Sequence, residues 1–338
     1  MKLSCKQLQE IALGAVKVYE ENEAVYFNRF TEEQTALYKK SNGDFYNKSF
    51  TTAGVRLSFK TNSERLFLKI ATTTVPSRQY FSFDVFVNGK LLGHLDNFSD
   101  SKSLQNYTQE EFPRGEFSKN FVLGTGEKAV CIYFPWSVGV ALYELSLDDG
   151  ALVLPSKPEK KILAFGDSIT HGYDAMRPSN RYMSRLCDAL GAEEINKAIG
   201  GEMFFPPLAA LADDFTPDYI TVAYGTNDWN NISRDAFLEN CRKFYETLRE
   251  TYPTVKIFAI SPIWRKEMTE QRKYGDFMQV EKDIFEIVNS IKDVVPVSGF
   301  GFVPHEERYY GDFRLHPNDE GFQHYFENLY RLIREFIK

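Results

Sequence analysis

Two polar residues follow apolar runs that have the length and composition of β-strands. Ser168 comes soon after the run Ile162–Phe165, and Asn227 comes soon after Ile220–Tyr224. In a parallel sheet wrapped by helices, reactive groups lie on loops at the carboxyl ends of strands. A serine hydroxyl there could act as a nucleophile once a base takes its proton, and an asparagine amide could donate to a developing oxyanion.

Two further segments carry residue types that the same chemistry needs. Gly200 and Gly201 follow a short predicted strand near Glu194–Asn196, and paired glycines let a backbone N–H group approach a ligand closely. His316 precedes Pro317, which suits the first position of a final helix, and a helix N-terminus favours the neutral imidazole that can act as a base. Each segment taken alone also fits an ordinary turn.

In their order along the chain, the four segments resemble the sequence blocks of the SGNH (GDSL) esterases and lipases. Ser168 lies in Gly-Asp-Ser-Ile-Thr, Gly201 ends Asn-Lys-Ala-Ile-Gly-Gly, Asn227 lies in Gly-Thr-Asn-Asp and His316 in Leu-His-Pro-Asn. The resemblance covers residues 160–338 and implies an α/β fold with a flavodoxin-like, doubly wound parallel sheet. It further implies that Ser168 is the nucleophile and His316 the general base. The implied oxyanion hole consists of the backbone N–H groups of Ser168 and Gly201 with the Asn227 side-chain amide.

The chain departs from the family pattern beside the histidine. Members of the family usually place an aspartate three residues before it, where this chain has Phe313, whereas Asp312 lies four residues before. One inserted residue in an irregular loop could still bring Asp312 to the imidazole, and we expect this arrangement. The alternative is a Ser–His dyad in which a backbone carbonyl orients His316.

Three further residues near these loops are candidates for contact with a substrate: Asp167, Trp229 and Trp264. The alternatives are that Asp167 fixes the geometry of its loop and that the tryptophans belong to the buried core. No cluster of His, Cys, Asp and Glu has the spacing of a metal site, so we expect neither a metal nor a cofactor.

The first half of the chain has a different pattern. Apolar spacing predicts a helix in the first thirty residues with Ser4 as its N-cap. From about residue 50 apolar and polar residues alternate, as in Val55–Lys60, and Asn88-Gly89 suits a type I′ hairpin turn. Short strands without intervening helices predict a β-sandwich, and the family resemblance implies that it is of the jelly-roll type. We place this domain at residues 1–150 and the hydrolase-like domain at 160–338, after a polar, proline-containing stretch.

The predicted sandwich, from residue 45 to 150, is similar to the β-sandwich that precedes the hydrolase domain in a subset of the family. That subset includes carbohydrate esterases and related acyltransferases. The resemblance implies hydrolysis of short acyl esters, acetyl above all, on a carbohydrate or glycoside. The alternatives are an acyltransferase that uses the same acyl-enzyme and a carbohydrate-binding protein without catalysis. The sandwich could also serve only to cover the hydrolase domain.

Composition narrows the classes of partner. The 338 residues include 40 Lys and Arg against 47 Asp and Glu, a net charge of −7, which argues against a nucleic-acid partner. Apolar runs are shorter than the ~18 residues of a membrane span, so we expect no membrane partner. The four cysteines lie far apart, which is unlike a disulfide framework or a zinc site. We therefore expect a cytoplasmic enzyme that acts on a small-molecule or oligosaccharide acyl ester, with its oligomeric state left open.

Overall fold

The computed structural model describes residues 1–74, 76, 78–98 and 112–337, which form two compact units. The first unit comprises Met1–Thr31, Tyr46–Glu159 and Met176–Ser179, and the second comprises Glu32–Phe45, Lys160–Ala175 and Asn180–Lys338. The domains predicted from sequence, 1–150 and 160–338, differ from these units most in one segment. Residues 32–45, assigned by sequence to the N-terminal domain, belong to the second unit.

The first unit begins with helix α1, Cys5–Ile11. Ser4 is its N-cap, as predicted, and forms a capping box with Gln7 in which each side chain accepts the other residue's N–H. The prediction that the helix continues to about residue 30 is wrong. Beyond Ile11 the chain forms strands β1 (Ala12–Leu13), β2 (Lys17–Glu21) and β3 (Ala24–Asn28). Pairing of β2 with β3 through a turn at Asn22 and Glu23, both at positive φ, overrides the local apolar spacing.

The first unit contains further strands, of which β4 lies on the predicted alternating run Val55–Lys60. They are β4 (Arg56–Thr61), β5 (Arg65–Thr72), β6 (Ser82–Val87), β7 (Lys90–Asp96), β8 (Glu116–Val122), β9 (Lys128–Tyr133), β10 (Val140–Leu147) and β11 (Leu154–Pro155). They form two antiparallel sheets in the orders β1-β4-β9-β6-β7, with β11 beside β4, and β2-β3-β10-β5-β8. This arrangement confirms the predicted β-sandwich.

The core of the sandwich is built by alternate residues of both sheets. Leu57 and Phe59 of β4 and Leu66, Leu68 and Ile70 of β5 are completely buried and belong to one apolar cluster. Burying each such side chain contributes about 1.5–3 kcal/mol. The period of two therefore determines which face of each strand turns inward. The predicted turn also forms, with Asn88 and Gly89 at φ 49° and 74° between β6 and β7.

The second unit contains one parallel sheet. Its strands are β12 (Lys160–Gly166), β13 (Ala192–Asn196), β14 (Tyr219–Ala223), β15 (Lys256–Ile260) and β16 (Val294–Val297). They lie in the order β13-β12-β14-β15-β16, and all neighbouring pairs are parallel. Numbered within the sheet this order is 2-1-3-4-5, that of a flavodoxin-like doubly wound fold. The predicted fold class is confirmed.

Helices connect these strands. In the second unit they are α2 (Glu32–Ser41), α4 (Ser168–His171), α5 (Tyr182–Leu190), α6 (Pro206–Ala209), α7 (Thr226–Asn231), α8 (Arg234–Thr251), α9 (Met278–Val288) and α10 (Asp319–Ile333), while α3 (Gly43–Ser49) extends from it into the first unit. Within the described residues, none of the helices combines the length and the apolar character that crossing a membrane requires.

Helix α10 begins later than predicted. Asn318 is its N-cap and accepts the N–H of Gly321 at 3.0 Å, so Pro317 lies outside the helix instead of at its first position. His316 therefore lies two residues before the cap, in a loop. The side chain of His316 must be oriented by that loop, because it is not on the helix itself.

Candidate active site

The sheet order brings three of the four sequence blocks to one edge. β12 lies between β13 and β14, and all three run in the same direction. The loops that follow these strands carry Ser168, Gly201 and Asn227 respectively. Because the carboxyl ends of parallel neighbours meet at the same edge, these loops are adjacent.

Ser168 is the first residue of the short helix α4, directly after β12. Asp167 caps this helix by accepting the N–H of Ile169 at 2.9 Å, and Gly172 ends it at φ 116°. A Cβ atom at Gly166 would lie 2.4 Å from Thr170 Oγ1 and 3.0 Å from the carbonyl oxygen of Ala223. The sharp turn thus requires glycine before the cap, and it presents Ser168 at the sheet edge.

The serine hydroxyl meets the histidine ring. Ser168 Oγ lies 2.8 Å from His316 Nε2, and Asp312 Oδ2 lies 2.8 Å from His316 Nδ1. A carboxylate beside Nδ1 holds the proton on that nitrogen, which leaves Nε2 free to accept from the serine hydroxyl. The structure thus brings Asp312 to the imidazole. This is the arrangement that we expected in preference to a Ser–His dyad.

Residues 312–316, which we call the histidine loop, accommodate the inserted residue through local geometry. Phe313 adopts φ 56° and is 48% exposed. Asp312 Oδ1 accepts the backbone N–H groups of Arg314, Leu315 and His316 at 2.8–3.0 Å. Burial opposes ionisation of Asp312, but the hydrogen bond and charge of His316, with these N–H groups, hold its pKa well below the usual range. Asp312 is therefore a carboxylate at neutral pH.

A second carboxylate near the ring was missed by sequence reasoning. Asp174 is buried, and its Oδ2 lies 3.8 Å from His316 Nδ1. Donor atoms of Asp174, Asp312 and His316 lie within 4.8 Å of one another, which is close enough for a metal ion. Both ring nitrogens already bond to Ser168 and Asp312, so we interpret the group as part of the acid–base arrangement. Asp174 adopts φ 70°, a left-handed conformation that aspartate tolerates better than most residues, and this is the one signal for it in the sequence.

The expected oxyanion donors lie on neighbouring loops. Among the described residues, the backbone N–H groups of Ser168 and Gly201 have no hydrogen-bond acceptor. Asn227 Nδ2 donates to the carbonyl oxygen of Glu202 at 2.9 Å. An amide nitrogen carries two hydrogens, so one N–H of Asn227 remains for a ligand. This set of donors suits a developing negative charge on oxygen.

Two of the residues predicted to contact a substrate have structural roles instead. Trp229 is completely buried, donates from Nε1 to the carbonyl oxygen of Gly275 at 2.9 Å, and packs under the guanidinium groups of Arg265 and Arg272. Asp167 is buried and serves as the helix cap described above. The expectation of substrate contact is therefore corrected for Trp229, whose side chain exposes no surface to a ligand, and the role that the structure gives Asp167 is that of the cap.

Trp264 remains a candidate for substrate contact because it is only partly buried. Its ring stacks on His305, with centroids 5.8 Å apart, and lies 5.0 Å from the ring of Tyr310. Tyr310 immediately precedes Gly311, whose N–H donates to the carbonyl oxygen of His316 at 2.8 Å. Trp264 is thus connected to the histidine loop through an adjoining aromatic cluster.

Two buried carboxyl groups flank the reactive residues. Burial raises the pKa of Asp167 to about 6 and, together with the charge of Asp167, the pKa of Asp228 to about 7. The N–H of Phe204 donates to Asp228 Oδ1 at 3.2 Å and works against that rise. Both groups therefore change charge within the pH range in which ester hydrolysis is measured.

Comparison with known proteins agrees with this geometry. Residues 164–324 match the GDSL-like lipase/acylhydrolase family. Residues 164–324 thus carry a GDSL-like acylhydrolase domain, which supports an ester-hydrolysing serine hydrolase. No curated protein matches the chain significantly.

Solved structures share the fold over most of the chain at low sequence identity. Salicylyl-acyltransferase SsfX3 from a tetracycline biosynthetic pathway has a TM-score of 0.78 at 21% identity, with 96% of this chain and 94% of that chain covered. A Bacteroides ovatus protein assigned as a GDSL-like lipase has a TM-score of 0.77 at 21% identity, with 99% and 97% covered. A family two carbohydrate esterase from Clostridium thermocellum, solved with cellohexaose, has a TM-score of 0.64 at 16% identity, with 85% and 94% covered. At these identities the similarity establishes the fold.

Proposed function

We propose that this protein hydrolyses short acyl esters, acetyl esters above all, carried on a carbohydrate or glycoside. The observation that carries the proposal is the chain of hydrogen bonds from Ser168 through His316 to Asp312, with both distances at 2.8 Å. A serine is a useful nucleophile only when a base lies within hydrogen-bond reach, and the base needs a partner that orients it.

The proposed reaction has two steps. In the first, His316 Nε2 takes the hydroxyl proton as Ser168 Oγ attacks the ester carbonyl carbon, and the N–H groups of Ser168, Gly201 and Asn227 stabilise the oxyanion. The C–O bond to the alcohol then breaks, and His316 returns the proton to the leaving oxygen. In the second, water attacks the acyl-serine with His316 as base and releases the carboxylic acid.

Two observations support a sugar-bearing substrate. Trp264 is a partly exposed aromatic side chain that lies 5.0 Å from the ring of Tyr310, beside the histidine loop. The Clostridium thermocellum esterase that shares the fold was solved with cellohexaose. The preference for acetyl rests on the resemblance to the carbohydrate esterases with an N-terminal sandwich.

The first experiment is hydrolysis of an aryl acetate by wild type, Ser168→Ala and Ser290→Ala. Ser290 lies just after α9, where its hydroxyl donates to the carbonyl oxygen of Ile287, so Ser290→Ala is a matched control. We expect a loss of about 10⁴-fold or more for Ser168→Ala and no change for the control. Equal rates of aryl acetate hydrolysis for wild type and Ser168→Ala would refute the assignment of Ser168 as the nucleophile. A series of acyl chains then tests the acyl group, because activity that peaks at eight or more carbons would refute the acetyl preference.

An acyltransferase is the second candidate, and the likeness to the salicylyl-acyltransferase favours it. The acyl-enzyme would be the same, and a hydroxyl other than that of water would attack it. Product analysis with added sugar alcohols measures how the acyl group divides between water and acceptor. A binding protein without catalysis would instead bind glycans equally well after Ser168→Ala and turn over no ester.

The cytoplasm remains our predicted location for the enzyme. All four cysteines are free in the structure, which fits a reducing compartment. Fractionation of cells that express the protein tests this prediction.

A further inference from the structure

The carboxylate of Glu202 lies at the end of the segment 197–202, which we call the oxyanion loop. Glu202 is buried, and its two oxygens accept hydrogen bonds from the hydroxyls of Tyr38 at 2.6 Å and Tyr224 at 2.7 Å. Its backbone also holds the loop, because its N–H donates to Ile199 and its carbonyl oxygen accepts from Asn227 Nδ2 at 2.9 Å. One residue thus connects two tyrosines to two of the expected oxyanion donors.

Helix α2, which carries Tyr38, also contacts the other end of the oxyanion loop. Lys197 is fully buried and donates to Asp213 Oδ1 at 2.6 Å and to Gln34 Oε1 at 2.8 Å. Gln34 and Tyr38 both belong to α2, four residues apart and therefore on one face of the helix. The helix contacts the beginning and the end of the oxyanion loop through buried hydrogen bonds.

We propose that Tyr38, Tyr224 and Glu202 are positioning residues for the oxyanion hole. Their hydrogen bonds hold the backbone N–H of Gly201 and the amide of Asn227 in the geometry that the tetrahedral intermediate needs. Oxyanion donors are effective when they are oriented before the reaction begins, and that orientation depends on the residues behind them. The proposal depends on the proposed function only in requiring Ser168 to be the nucleophile.

Packing alone does not explain the carboxylate of Glu202 and the hydroxyls of Tyr38 and Tyr224. Burying a carboxylate is costly unless strong donors satisfy it, so an apolar residue would be the simpler way to fill the space. The ring of Tyr38 is held independently, stacked on Phe205 at 6.0 Å and edge-on to Phe45 at 6.2 Å. Tyr38→Phe therefore keeps the packing and removes only the donor.

The test compares Tyr38→Phe and Tyr224→Phe with a matched control, Tyr245→Phe. Tyr245 is buried in the same unit, and within the described residues its hydroxyl has no hydrogen-bond partner. The first readout is kcat and KM on an aryl acetate. The second is the rate at which a fluorophosphonate labels Ser168: the Ser168 oxygen–phosphorus bond forms, the phosphorus–fluorine bond breaks, and His316 takes the hydroxyl proton as fluoride leaves. Labelling requires no knowledge of the natural ester.

We expect each of Tyr38→Phe and Tyr224→Phe to lower kcat and the labelling rate about tenfold or more, with KM within about twofold. The control should change neither, and all three variants should melt within a few degrees of wild type. In an Asn227→Ala background, the effect of Tyr38→Phe should be smaller than in wild type, because the part that acts through the Asn227 amide is already lost and only the part that acts through the Gly201 N–H remains.

Several results would overturn the proposal. They are wild-type labelling rates in both tyrosine variants, an equal loss in Tyr245→Phe, or an undiminished effect of Tyr38→Phe in the Asn227→Ala background. If wild type is labelled but hydrolyses no ester, the substrate assignment fails while the positioning role is still decided by labelling. If Ser168 is not labelled in wild type, both proposals fail.

Discussion

The two loops that complete the active site are held in opposite ways. In the histidine loop, Asp312 both contacts the ring and accepts three backbone N–H groups from the next four residues. In the oxyanion loop, Glu202 accepts a hydrogen bond from Tyr38 and Lys197 donates one to Gln34, and these partners lie 164 and 163 residues away in sequence. The first loop organises itself, whereas the second depends on a distant helix.

This difference determines where a substitution acts. A change at Asp312 should act on the chemical step with little effect on the rest of the unit, because the hydrogen bonds of Asp312 lie within the histidine loop. A change around the oxyanion loop should affect several groups together, because buried polar networks behave as a unit. The following predictions test this contrast, from the largest expected effect to the smallest.

Asp312→Asn should lower kcat by about 10⁴-fold, because an amide can donate to Nδ1 and so favour the wrong tautomer of His316. The asparagine oxygen can still accept the backbone N–H groups, so the loop should keep its shape. Steady-state kinetics with an aryl acetate, and melting temperature as a check on folding, measure both parts. A loss under tenfold would mean that another acceptor orients the ring.

Asp174→Asn is the matched substitution, because Asp174 also faces His316 Nδ1 but lies 3.8 Å away. We expect at least a tenfold smaller loss than for Asp312→Asn. If the two losses are equal, orientation of the ring is shared between the carboxylates, and the histidine loop is less self-contained than we describe.

Asn227→Ala should lower kcat about 10²–10³-fold with little change in KM, because one oxyanion donor is removed. The same change frees the carbonyl oxygen of Glu202, which links the two parts of the network. A loss confined to KM would indicate that the amide binds the ground state instead of the oxyanion.

Asp228→Asn tests the buried carboxyl group through pH. Because the pKa of Asp228 in the folded protein is raised to about 7, the folded state binds more protons than the unfolded state between about pH 4 and 7, and wild-type stability falls as pH rises through that range. The asparagine variant lacks this proton, so its stability relative to wild type should increase towards pH 8 by on the order of 2–4 kcal/mol. Denaturant unfolding at pH 5 and pH 8 measures it, and a pH-independent difference would contradict the prediction.

Phe313→Gly should have the smallest effect. Its left-handed φ costs a non-glycine residue roughly 1–2 kcal/mol, and the exposed ring contributes little packing, so the variant should be as stable as wild type or slightly more stable. Phe313→Leu, which keeps the strain, is the control. A large loss of activity in Phe313→Gly alone would show that the strained residue helps to hold Asp312.

Much of the architecture could be predicted because its patterns are local. The strands Lys160–Gly166 and Tyr219–Ala223 overlap the predicted runs Ile162–Phe165 and Ile220–Tyr224, since strands of a parallel sheet are compact apolar runs. The prediction of a helix in the first thirty residues was wrong beyond Ile11, because strand pairing overrode a helical spacing of apolar residues. Helix α2 was not predicted. Its buried residues are Gln34 and Tyr38, so its sequence lacks the apolar stripe from which a helix is recognised.

The site shows the same division. Ser168, Gly201, Asn227 and His316 lie in short motifs, and Asp312 was recoverable as a neighbour of the histidine. Contacts that join distant parts of the chain, such as Tyr38 with Glu202, leave no pattern within a sequence window. The burial of Trp229 likewise depends on arginines 36 and 43 residues further along the chain, and these are not recognisable as its partners in the sequence.

Helix α2 also has a consequence for biosynthesis. The unit that contains the site is discontinuous, since residues 32–45 are translated long before residues 160–338. On the ribosome, Gln34 and Tyr38 must wait for Lys197 and Glu202 to emerge, so this unit closes late. A recombinant fragment that starts at residue 160 would lose two buried hydrogen-bond partners at once. Engineering of the catalytic half should therefore keep residues 32–45, either in their natural place or joined by a linker to the fragment that starts at residue 160.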